Sequence, residues 1–158
     1  MSPAGPIWSD SLAHLRDLAI AYAIALPVGW SWERKARSAG LRTYPLVAIA
    51  SCGFALLAAR VAGASAESQA RVLQGLITGV GFLAAGAVIK EGHSVQGTAN
   101  AASIWATGAA GAAVGFSLYD IAVALSAVNF ITLWLLAPFK HEIGRYGGGE
   151  QAERTERT

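Results

Sequence analysis

The chain has 158 residues, of which 54% are apolar and 14% charged, against about 25% charged residues in an average soluble domain. With a mean hydropathy of +0.43, that balance argues against an ordinary soluble fold, and the length allows about one domain. The net charge of +2 sums 12 basic and 10 acidic residues, with no basic stripe interleaved with aromatics, so nothing points to nucleic acid.

Stretches free of Asp, Glu, Lys and Arg cover 18–32, 43–59, 72–89, 92–119 and 121–139. Several reach the roughly 17–25 residues that a helix needs to cross a bilayer. They do not alternate polar with apolar, as the strands of a membrane barrel must. The prediction is an all-α, polytopic helical membrane protein with about five transmembrane helices. It divides into an N-terminal tail, 1–14, a membrane domain, 15–139, and a hydrophilic tail, 140–158, whose mixed charges around Gly147, Gly148 and Gly149 cannot bury a core.

The first predicted span, about 15–32, contains Pro27 and ends in Trp30 and Trp32, the aromatic pair of a membrane interface. Asp10, His14, Arg16 and Asp17 precede its apolar run from Leu18 in place of a basic signal-peptide region, so the span is read as retained. Glu33, Arg34, Lys35, Arg37 and Arg42 follow it. The basic cluster reads as anchoring at anionic headgroups, or as docking to an acidic partner, while Glu33 should pair with Arg34, Arg37 or Arg42 or else face a polar cavity. The second span, to about Arg60, starts at Tyr44-Pro45, where proline loses no helical hydrogen bond. Cys52 within it has no partner for a disulfide and reads as a small core residue.

The third span, about 72–89, carries Gly75, Gly79, Gly81 and Gly86, and the fourth, about 99–115, carries Gly108, Gly111 and Gly115. Glycine lets membrane helices approach backbone to backbone, so all seven read as packing positions, within one chain or between copies in a homo-oligomer. Between these spans, Lys90 to Asn100 holds more polar groups than a plain turn needs. Glu91, Ser94, Gln96, Thr98 and Asn100 offer oxygens to a hard cation such as Mg2+, with Glu91 the only carboxylate. A polar interface or helix capping is the plainer reading. His93 has no neighbouring His or Cys to make a ligand set. In the fifth span, about 118–139, Asp120 follows Ser117 at capping-box spacing, and Asn129 near mid-membrane should hydrogen-bond to another helix.

Counting basic residues fixes the orientation. With an outside N-terminus, five spans put nine Lys and Arg inside and three outside, as the positive-inside rule asks, so the C-terminus is inside. No nucleophile–base set or phosphate loop is present in the sequence, and neither an enzyme nor a bound cofactor is expected.

The order Glu33-Arg34-Lys35, Ala39-Gly40-Leu41-Arg42-Thr43, Gly79-Val80-Gly81-Phe82-Leu83-Ala84-Ala85-Gly86, Ile89-Lys90-Glu91-Gly92, Val95-Gln96-Gly97 and Ala101-Ala102-Ser103-Ile104-Trp105 resembles the MgtC/SapB family over about 18–139. The resemblance implies a bacterial inner-membrane protein linked to magnesium homeostasis, growth in low magnesium and virulence. It also implies a regulatory, partner-binding role, with the F-type ATP synthase as partner. The alternative is a transporter or channel for Mg2+ or another cation. The chain departs from the family pattern at Ala84, where glycine is usual, at Gln96, where arginine is usual, and at Ala99, where the family's sensitive asparagine would fall. Asn100 lies about 100° further around a helix. Longer relatives carry a C-terminal soluble domain, and regulation through such a domain is not expected here. Glu33, Arg42, Glu91 and Asn100 are the expected functional surface.

Overall fold

The computed structural model describes residues 7–35, 40–61, 65–91 and 94–135; the expected tail, 140–158, together with Arg37, Gly92 and His93, lies outside them. Five helices follow one another: α1 (Ile7–Lys35), α2 (Thr43–Val61), α3 (Ala66–Ala85), α4 (Thr98–Gly115) and α5 (Tyr119–Leu135). Between α3 and α4 stands a small antiparallel hairpin, β1 (Ile89–Glu91) and β2 (Ser94–Gln96), paired Ile89 to Gln96, Lys90 to Val95 and Glu91 to Ser94.

Helix α4 is the axis of the bundle and packs against the other four. Its Ala- and Gly-rich sequence is the reason: at Gly111 a Cβ would strike the Ala48 backbone carbonyl of α2, at Gly115 it would lie 2.6 Å from the Cys52 carbonyl oxygen, and at Gly108 it would lie 2.8 Å from a Val80 methyl of α3. Without side chains there, α4 approaches α2 and α3 backbone to backbone. Helix α2 answers with Tyr44, Val47, Ala48, Ser51, Cys52, Ala55 and Ala58, all buried and all on one helical face.

Several elements differ from the sequence prediction. Helix α1 begins at Ile7, not near Leu15: its first turn carries Asp10, an acid favoured at a helix start that pairs with Arg60 of α2 at 2.8 Å, and Asp17, Ala21, Ala25 and Val28 form one buried face further along. Helix α3 begins at Ala66, ahead of the expected start near Val72. Ser65 caps it by accepting from the Ser68 amide at 3.3 Å, and Arg71 pairs with Glu67 one turn on at 2.9 Å. That helix ends at Ala85, and Ile89 belongs to β1.

Gly97 caps α4 with φ of 86°, and a Cβ there would collide with the Ala87 carbonyl. Only glycine fits both conditions. The helix ends sort into two groups. Asp10 near the start of α1 meets Arg60 at the end of α2 at 2.8 Å, and Asp17 of α1 meets Tyr119 at the start of α5. Tyr44 at the start of α2 meets Asn100 at the start of α4. Successive helices therefore run antiparallel.

Candidate functional site

The end of the bundle where α1 stops and α2 and α4 start gathers the most built polar structure. Glu33 does not meet an arginine among its described contacts. Its carboxylate oxygen Oε2 accepts from the amides of Gly40, at 3.2 Å, and Leu41, at 3.0 Å, ahead of α2. A carboxylate at a helix start is favoured by the exposed amides and by the helix dipole. The turn closes only because Gly29 and Gly40 lack side chains: a Cβ on Gly40 would lie 2.6 Å from the Gly29 carbonyl oxygen. The Gly40 carbonyl in turn accepts the Tyr44 amide at 3.3 Å. The Tyr44 side chain is fully buried, and its hydroxyl donates to Asn100 Oδ1 at 2.7 Å.

From that point a polar track descends through the apolar bundle. Asn100, Ser103 and Thr107 lie at helical spacing on α4. The Ser103 hydroxyl donates to Asn129 Oδ1 of α5 at 2.9 Å, and Asn129 Nδ2 donates to the Ser103 carbonyl at 3.2 Å and to Thr107 Oγ1 at 3.4 Å. Asn129 is thus satisfied from a neighbouring helix. Nearby, the Ser126 hydroxyl donates to the Ile24 carbonyl, which ties α5 to α1.

The other expected residues are placed as follows. Arg42 is exposed, with its carbonyl accepting from Leu46. Glu91 holds a backbone position in β1 opposite Ser94. Glu33 and Arg42 share no ion pair or side-chain hydrogen bond among the described residues, and no group of three or more His, Cys, Asp or Glu suited to a metal occurs among them. Gly108, Gly111 and Gly115 pack as described, and at Gly86 a Cβ would lie 3.3 Å from the Leu83 carbonyl oxygen. At Gly75, Gly79 and Gly81 a Cβ would meet nothing within 4 Å, so these three take no part in close packing within the chain.

Sequence reasoning missed the opposite end. Asp17 is 4% exposed and accepts from Arg16 at 2.9 Å and from the Tyr119 hydroxyl at 2.8 Å, while Arg16 also donates to Tyr119 at 2.9 Å. The signal was its phase with Ala21, Ala25 and Val28. Trp32 carries the one buried side-chain nitrogen without a hydrogen-bond partner among the described residues.

Two helices, spanning Asp10–Arg34 and Thr43–Val61, are long and apolar enough to cross a membrane, and large apolar side chains such as Leu57, Phe82, Val128 and Trp134 stand exposed around the bundle. That is the build of a helical membrane protein. The model of the MgtC family matches residues 18–142. The chain is 35% identical over 133 residues to Protein MgtC of Brucella abortus, covering 84% of this chain and 55% of that one. It is 33% identical over 135 residues to Protein SrpB of Synechococcus elongatus, covering 78% and 72%, and 28% identical over 141 residues to Protein MgtC of Salmonella typhi, covering 89% and 60%. The chain belongs to the MgtC family. It spans about half the length of the first of these relatives, and no solved structure matches it.

Proposed function

We propose that this protein is a multi-pass protein of the bacterial inner membrane that supports magnesium homeostasis and growth in low Mg2+ by binding and regulating a membrane partner, for which family resemblance nominates the F-type ATP synthase. All five helices cross the bilayer in this reading, with the Glu33–Asn100 end in the cytoplasm, as the basic-residue count asks. The observation that carries a regulatory over a conducting role is the filled centre. Helix α4 occupies the axis with Gly108, Gly111 and Gly115 in contact with α2 and α3, and the cavity beside it, between Ile24, Thr107 and Ser126, measures about 10 Å3. A hydrated cation needs far more room, since a single water requires about 10–15 Å3 on the same measure. Among the described residues, the axis of one chain is filled by α4.

The test combines Mg2+ flux into vesicles containing the purified protein with growth of a deletion strain in low Mg2+. Restored growth without flux is expected. Flux that rises in proportion to the amount of protein reconstituted assigns the function to a transporter or channel instead.

A further inference from the structure

Helix α3 buries only Val80 and Ala84, yet a run of its polar residues does not face its own bundle. Glu67, Arg71, Gln74 and Thr78 recur at helical spacing and all are exposed. At about 100° per residue this stripe lies about 150° from Val80 and about 110° from Ala84, on the side turned away from the buried face. Gln74 and Thr78 lie in the middle of the helix. The Thr78 hydroxyl donates to the Gln74 carbonyl at 2.9 Å, while the Gln74 side-chain amide has no hydrogen-bond partner among the described residues.

Helix α5 provides the contrast. Its exposed face reads Ile121, Val123, Val128, Ile131 and Trp134, which is what hydrocarbon accepts. In a spanning helix, polar side chains face protein or a polar cavity, and an unpaired amide in hydrocarbon is costly. Alongside the polar stripe run Gly75 and Gly79, open to any approach. A groove of about 460 Å3 between α2 and α3 adjoins them, and Ser51, 2% exposed and without a hydrogen-bond partner among the described residues, lines it.

We propose that this face of α3 binds a second copy of the chain, α3 against α3, about a two-fold axis along the membrane normal. The stripe can meet its own copy, as an isologous interface requires: the Gln74 amide both donates and accepts, Glu67 and Arg71 neutralise each other within each helix, and the glycine pair admits a facing helix. The inference rests on reading α3 as membrane-embedded.

Because a Cβ on Gly79 would meet nothing within 4 Å in its own chain, Gly79→Ile is expected to spare the monomer, with unchanged membrane abundance as the check. Oxidative cross-linking of the full chain in native membranes, with Thr78→Cys compared to Ile131→Cys on α5, should give a covalent dimer for the first and little for the second, with buried Cys52 silent. Adding Gly79→Ile or Gln74→Leu to Thr78→Cys should lower the dimer about tenfold, the scale of 1–2 kcal/mol of lost interhelical contact. No cross-link at Thr78→Cys, a yield equal to that at Ile131→Cys, an unchanged yield with Gly79→Ile, or capture of a different protein each overturns the second copy as occupant. A water-soluble maleimide separates the premises. An uncross-linked Thr78→Cys that resists it overturns the dimer with the span intact, whereas ready labelling overturns the placement of α3 in the membrane and the dimer with it.

Discussion

The phenol of Tyr44, the first large side chain of α2, is sealed from all surroundings and spends its one proton on Asn100 at the first turn of α4. Two helices that share no connection in the chain are locked in register at that point. Tyr44→Phe keeps the packing and removes the donor, so it should lower thermal stability in detergent by about 0.5–1.5 kcal/mol, the net worth of such a bond. Tyr44→Ala adds a cavity and should cost about 3–5 kcal/mol. Equal melting temperatures for the wild type and Tyr44→Phe would show that the bond does not hold the register.

The two glycine groups should part company. Gly111→Ala places a methyl onto the Ala48 backbone and should abolish the folded, detergent-extractable protein, because a backbone carbonyl cannot move aside as a side chain can. Gly81→Ala meets open space and should raise stability by about 0.5–1 kcal/mol through helix propensity. Yield and thermal melting of the two variants side by side decide it.

At the other end, Asp17 is buried and Asp10 is not, and their loss should differ accordingly. Asp17→Ala leaves the Tyr119 hydroxyl without its acceptor and should destabilise by about 1–3 kcal/mol. Asp10→Ala breaks an ion pair whose side chains are 55% and 56% exposed, and should cost no more than about 1 kcal/mol, less at high salt. Melting curves at low and high ionic strength separate the two.

The functional surface is tested by growth. Glu33→Ala frees the amides of Gly40 and Leu41 and loosens the turn before α2, so it should impair growth in low Mg2+. Arg42→Ala and Glu91→Gln should impair growth at unchanged membrane abundance, while truncation after Gly144 should be tolerated. If the truncation abolishes growth and the point variants behave as wild type, the surface lies elsewhere in the chain.

The five helices were legible because apolar runs of that length have few other uses. Their limits were not: α1 and α3 extend through charged residues that hydropathy discards, Asp17 on a buried face and Glu67–Arg71 on an exposed one. Glu33 was expected to seek an arginine, whereas free amides ahead of α2 claimed it, a partner that composition does not display. Glycine spacing was identical in kind in α3 and α4, and only the packing distinguished a face turned inward from one turned out. The Asn100–Ser103–Thr107 repeat was readable as a stripe, but its neighbours Tyr44 and Asn129 come from helices far away in sequence.

Gly97 has a mechanical consequence. It fills the only space between the Ala87 carbonyl and the first turn of α4, so the joint between the hairpin and that helix contains no slack. The hairpin is thereby braced against the start of α4, and α4 touches every other helix. The hairpin acts as a handle on a shaft, with leverage over the bundle out of proportion to its six paired residues.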